Sequence, residues 1–280
     1  MYLNHFGLSE LPFGITPDTS FIFSNDAHQE ALNTLLIGIL SGEGFIKITG
    51  EVGTGKTLLC RRLLSTLGED HVVAYLPNPM LDPRALLGAI AEELGLTLAD
   101  PLHHPSFHLI KIINRHLLEQ ATIGKKVIVA LDEAQCIPLE SLETLRLLSN
   151  LETEKQKLVQ VIMFGQPELD EKLANPAVRQ LRQRIVLHYR MPGLRREEVA
   201  HYLGHRLRVA GYRGNDLFTG NTATLLWHLS CGTPRLVNIL AHKALLLAFG
   251  EGKPTVIKNH VVQAGRDTEG VRKISWWRTW

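Results

Sequence analysis

An α/β fold is what this sequence predicts: a parallel sheet covered on both faces, then a small helical domain. Three observations carry that expectation. Short β-rich runs alternate with helical patterns over the first two thirds of the chain. The β signal stops after Pro192-Gly193 and only helical patterns follow. A glycine-rich turn occupies one strand-to-helix junction, at 50–57. Alternation of this kind is how parallel strands and their crossover helices read in sequence.

The elements follow in chain order. Phe45–Thr49 (FIKIT) reads as a short buried strand, and Leu58–Leu67 as the helix after the glycine-rich turn. Val72–Leu76 is a second β-rich run, ended by Pro77-Asn78-Pro79. Pro83–Leu94 and His108–Ala121 carry apolar residues at helical spacing, closed by Gly95 and Gly124. Val127–Leu131 is a β-branched strand that runs straight into Asp132-Glu133. Leu139–Leu151 is helical in pattern, and Leu158–Phe164 and Ile185–Tyr189 are the fourth and fifth strands. Past Pro192, Arg196–Ala210, Thr222–Ser230, Pro234–Phe249 and Lys258–Ala264 all read as helices. Pro234 suits the first turn of its helix. The expected division is 1–44 as N-terminal linker and first helix, 45–192 as the α/β core, 193–270 as a helical lid, and 271–280 as a tail. No internal repeat is visible.

Composition narrows the class of function. With 45% hydrophobic and 21% charged residues, the 280-residue chain reads as globular. A formal net charge of +2 does not announce a nucleic-acid binder. The three cysteines are far apart and form no CxxC pair, which points to reduced thiols rather than a disulfide frame. His103, His104 and His108 cluster without any accompanying metal-ligand spacing. The start, Met-Tyr-Leu-Asn-His, has no export-signal pattern. The longest apolar stretches, about 35–40 and 244–249, fall far short of the roughly 18 residues a membrane span needs. A cytoplasmic protein is expected, touching a membrane only through partners.

Gly50-Glu51-Val52-Gly53-Thr54-Gly55-Lys56-Thr57 fits GxxxxGK[ST] in full, after a strand and before a helix. Glycines let the backbone curl around a phosphate with its N–H groups pointing inward. The helix start, with Leu58 following Thr57, adds the positive end of its dipole. Lys56 supplies a mobile charge for the outer phosphates and the Thr57 hydroxyl a Mg²⁺ ligand. About 75 residues on, Asp132 ends a strand where a carboxylate holds Mg²⁺ through its water shell. Glu133, one residue further, is placed to align an attacking water and take its proton. No NKxD guanine signature follows, so ATP is the expected nucleotide, with ADP as product.

The motifs together are specific. Phe6-Gly7-Leu8 with Pro12-Phe13 and Pro17-Asp18 precede GEVGTGKT. LDEAQ (131–135), FGQPEL (164–169), LRQRI (181–185) and GTPRLVN (232–238) follow. Across nearly its whole length the chain resembles the AAA+ ATPases of the ExeA/GspA secretion-type group, and within it those of MSHA-type (type IV-like) pilus biogenesis. The resemblance implies a P-loop AAA+ core with a five-stranded parallel sheet and a helical lid. It implies that Gln166 occupies the sensor-1 place facing the γ-phosphate, where many relatives carry Asn, Ser or Thr. It implies that Asn78 restrains the catalytic glutamate, the alternative being a plain turn residue. Arg235 matches sensor 2, a lid guanidinium reaching the γ-phosphate. Arg179, Arg182 and Arg184 fall where an arginine finger points at a neighbouring subunit, with Arg182 and Arg184 favoured. Phe6, Phe13, Phe21 and Phe23 either lie near the adenine or fill the core.

The implied partners are other copies of the chain, joined through nucleotide sites as a ring or hexamer, and inner-membrane pilus or secretion proteins. ExeA-like relatives continue into a membrane span and a wall-binding domain, whose functions are not expected of this chain. Three tryptophans in 276–280, beside Arg278, suggest a docking element or a tail folded back on the lid. Arg195–Arg213 carries five arginines against two glutamates, so a DNA-binding ATPase of transposition type is one alternative. A nucleotide switch without hydrolysis is another.

Overall fold

The computed structural model describes residues 2–16, 18–97, 105–152 and 157–272. Pro17, His103, His104 and the tryptophans of 276–280 lie outside these, so the expectations attached to them are not addressed by the structure. The chain divides into two compact units. One comprises Asp26–Gly50 and Leu59–Met191; the other comprises Met1–Asn25, Glu51–Leu58 and Pro192–Trp280.

The first unit is a doubly covered parallel sheet. Its strands are β1 (Phe45–Gly50), β2 (His71–Leu76), β3 (Lys126–Leu131), β4 (Val159–Gly165) and β5 (Ile185–Met191). They lie in the order β2-β3-β4-β1-β5, and every pairing is parallel. Burial explains the two kinds of strand sequence. β4 is buried at every position and β3 at all but its first, and both are apolar apart from Lys126 and Gln160. β5, at an edge, alternates half-buried and exposed residues.

The side-chain period of two sorts each strand between the faces. Val127, Val129 and Leu131 pack with α4 (Pro83–Glu93), α5 (Ser106–Thr122) and α6 (Leu139–Leu148). Ile128 and Ala130 pack with α2 (Asp26–Leu40) and the part of α3 (Lys56–Thr66) that belongs to this unit. Gly38 lets α2 approach closely, because a Cβ there would stand 2.5 Å from Ile46 Cδ1. The one polar side chain pointing into this layer from β4 is satisfied: Gln160 Nε2 donates to Gly38 O at 3.1 Å and to Glu43 O at 2.8 Å.

The second unit is helical: α1 (Leu3–Phe6), α9 (Arg196–Val209), α10 (Gly220–Ser230), α11 (Pro234–Gly250) and α12 (Lys258–Arg266). The division differs from a linear linker–core–lid order, since residues up to Asn25 share a core with these helices. Phe6, Phe13 and Phe21 are buried in that core, and Phe23 stacks edge-on against Tyr202 at 5.6 Å. All four rings therefore pack in or against this core. Apolar area explains why: each ring buried removes on the order of 2–3 kcal/mol of unfavourable hydration.

Arg206, one of the five arginines of 195–213, is not a surface charge. Its side chain is buried, lies over the Phe21 ring at 4.6 Å, and donates to Pro12 O and Tyr202 OH. Tyr202 OH in turn donates to Asn238, whose Nδ2 donates to Gly14 O at 3.2 Å. One charge of the arginine pattern on α9 is thus a core group tying the N-terminal segment to α9 and α11. Arg206→Ala leaves carbonyl and hydroxyl partners without a donor, so a loss of about 2–4 kcal/mol is expected. That corresponds to a melting point lower by roughly 5–12 °C in thermal denaturation. An unchanged melting point together with loss of DNA binding would restore the surface reading.

Candidate nucleotide site

The two phosphate-site motifs leave the same edge of the sheet. β1 ends at Gly50 and the chain passes through 51–55 into α3 at Lys56. β3 ends at Leu131 and is followed by Asp132-Glu133, and β4 ends at Gly165 and is followed by Gln166. Because the sheet is parallel, all three are carboxyl ends, where α/β proteins gather ligand-binding groups.

In the loop, Thr54 N and Oγ1 both donate to Glu51 O, at 3.2 and 2.9 Å. Lys56 is buried and its Nζ donates to Glu51 O at 3.0 Å. Gly53 has φ +81°, in the left-handed region that favours glycine. A Cβ at Gly53 would also stand 2.3 Å from Arg235 Cβ. Arg235 N donates to Gly53 O at 3.3 Å, so the first turn of α11 rests on the loop. Pro234 occupies that first turn, as its missing N–H and fixed φ favour. Gly50, Val52, Gly55, Thr57 and Leu58 complete the stretch, with Val52 exposed and Thr57 half-buried.

Asp132 is buried, and its Oδ1 accepts from Glu133 N at 3.0 Å. It lies near Tyr75 and Cys60. Burial, then the Asp132 charge, pushes the Tyr75 phenol up to about 12, and the same two causes raise the Cys60 thiol. Both neighbours therefore stay neutral at physiological pH.

Glu133 has φ 49° and ψ 39°, one of two non-glycine residues at positive φ among the described residues. That conformation costs of order 1–3 kcal/mol and is concentrated at functional sites. Its carboxylate meets the end of β4: Gln166 Nε2 donates to Glu133 Oε2 at 3.0 Å. Gln135 Nε2 donates to the same oxygen. Two side-chain amides, from Gln166 and Gln135, thus meet on one oxygen of this glutamate. Asn78 is exposed, and its Oδ1 accepts from Met80 N at 3.3 Å in a local turn. Flanking prolines favour that turn.

Of the basic cluster, Arg179 and Arg182 are exposed on α8 (Arg179–Arg182). Arg184 is half-buried, and its Nη1 donates to Ser149 Oγ at 3.1 Å. The contact of Gln135 with Glu133 was not legible in the sequence, although the LDEAQ run contained both residues.

The strand order, with the glycine-rich loop after β1, defines a P-loop AAA-type α/β fold. Residues 39–173 match the AAA domain family. The chain is 40% identical over 279 residues, its whole length, to General secretion pathway protein A of Aeromonas hydrophila. It spans about half of that relative, 50% of its length. Among solved structures, Cdc6p of Pyrobaculum aerophilum matches with a TM-score of 0.67 at 17% identity, over 90% of this chain and 71% of that one. The ORC2 protein of Aeropyrum pernix, solved as ADPNP–ADP complexes, matches with a TM-score of 0.61 at 17% identity, over 93% and 73%. At such identities the likeness speaks to fold alone. No helix among the described residues is long and apolar enough to cross a membrane.

Proposed function

We propose that the chain is a Mg²⁺-dependent AAA+ ATPase of the GspA-like secretion group. It converts ATP and water to ADP and phosphate and does conformational work on a partner. One observation carries the reading. The GEVGTGKT loop and the Asp132-Glu133 pair leave carboxyl ends of one parallel sheet, and Gln166 from a third such end is bonded to Glu133. In this reading Gly50–Thr57 and Leu58 cradle phosphate and Lys56 neutralises it. A hydroxyl and a carboxylate, from Thr57 and Asp132, are hard oxygen donors of the kind Mg²⁺ takes, with water and phosphate completing the shell. Glu133 orients the attacking water, and Gln166 and Arg235 respond to the γ-phosphate. The contact of Arg235 with Gly53 supports that last role, because it ties the start of α11 to the loop.

The likeness to General secretion pathway protein A supports partners in an inner-membrane secretion apparatus. The finer reading is MSHA-type pilus biogenesis, with the chain resembling MshM, working as an oligomer in the cytoplasm beside the inner membrane. Lys56→Ala tests the phosphate site. Loss of a charge-assisted hydrogen bond is worth about 1.5–3 kcal/mol, so ATP affinity is expected to fall roughly 10- to 100-fold in a fluorescent-nucleotide titration. Unchanged affinity would reject the site.

A further inference from the structure

The Gln135 side chain is anchored at both ends. Its Oε1 accepts from Gln166 N at 3.0 Å, and its Nε2 donates to Glu133 Oε2. The amide's orientation is forced by its partners: a backbone N–H only donates, so the oxygen faces residue 166 and the nitrogen faces the carboxylate. Behind it, Lys172 of α7 (Glu168–Leu173) donates to the carbonyls of both Gln135 and Ile137, the latter at 2.7 Å. The short turn Ala134–Cys136 that carries Gln135 is therefore clamped from the far side. A side chain held in this way can position another.

We propose that Gln135 is the positioning residue for Glu133, locking its carboxylate in register with the end of β4. This rests on the reading of Glu133 as the group that orients water. Two amides, from Gln135 and Gln166, converge on Oε2. With Oε2 held twice, the carboxylate has little freedom to rotate, and Oε1 is the oxygen left to orient water. The positive φ of Glu133 is what brings its side chain to this pair, and the Gln135 bridge offsets part of that strain. Gln166 and Gln135 act differently. Gln166 approaches Glu133 by its side chain alone, whereas Gln135 is also bonded to the main-chain N–H of residue 166. When the Gln166 amide turns toward phosphate, Gln135 keeps the carboxylate in place.

Gln135→Met preserves volume and removes both bonds. Turnover (kcat) is expected to fall about 10- to 100-fold, with KM for ATP within about twofold, as for a loss of orientation rather than of binding. Gln135→Glu keeps an acceptor for Gln166 N but sets a carboxylate against Glu133, so it should not rescue. In a Glu133→Gln background, Gln135→Met should change the residual rate by less than about twofold, because the two act as one unit. Gln135→Met at the parental rate, with Glu133→Gln inactive, would overturn the positioning role and leave the ATPase reading intact. So would equal losses in kcat and ATP affinity, or rescue by Gln135→Glu. Parental turnover in Glu133→Gln itself would instead sink the ATPase reading.

Discussion

Replacing Glu133 by Gln is expected to leave ATP binding within about threefold of the parent and to lower turnover by roughly 10²–10⁴. The amide matches the carboxylate in size, so the turn at 133–136 and the bonds at its end need only rearrange locally. What disappears is the acceptor that aligns water and takes its proton. Nothing in the phosphate loop changes: Lys56, Thr54 and Arg235 N keep their own partners on Glu51 and Gly53. The expected signature is thus a split, with affinity kept and rate lost. The measurement is phosphate release beside equilibrium nucleotide binding. Loss of both together would mean that Glu133 supports the fold rather than the chemistry. Retention of both would point to a switch without hydrolysis.

Removing the Arg182 guanidinium is expected to have the largest effect on rate, roughly 10³–10⁵ if it completes a neighbour's site as an arginine finger. Arg182 is the variant to make first, since Arg184 is half-buried and donates to Ser149 Oγ within its own chain. Arg182 is exposed at the end of α8, just before β5. An exposed guanidinium without a role in trans contributes little, since surface ion pairs are worth about 0–1 kcal/mol. Mixing provides the decisive form of the test. Arg182→Ala and Glu133→Gln are each expected to be inactive alone. Together they should regain turnover, because some sites then combine an intact Glu133 with a neighbour's intact Arg182. No recovery on mixing, with both proteins folded and binding ATP, would contradict action in trans. Activity surviving in Arg182→Ala but lost in Arg179→Ala would move the finger to Arg179.

Much of the fold was legible because strand burial leaves a plain mark. β3 and β4 are covered on both faces and are apolar apart from Lys126 and the bonded Gln160, and the lid helices carry apolar residues at helical spacing. The glycine-rich loop was legible for a different reason: close approach of backbone to phosphate admits few residue types. Other features left no such trace. The association of residues 2–25 with α9 and α11 depends on long-range bonds, Arg206 to Pro12 and Asn238 to Gly14, which no local pattern encodes. Arg206 read as surface charge because its burial is compensated by an aromatic ring and two oxygens rather than by a carboxylate nearby in sequence. At the site, the turn prolines around Asn78 and the positive φ of Glu133 decide which side chains meet. The second of these is a backbone property that a glutamate does not advertise.

The most direct test of the central claim is ATP turnover per subunit across a wide range of protein concentration, with Glu133→Gln in parallel. An assembling ATPase predicts specific activity that rises with concentration, needs Mg²⁺, and is abolished in Glu133→Gln. Turnover that is independent of concentration and unaltered by Glu133→Gln would contradict it.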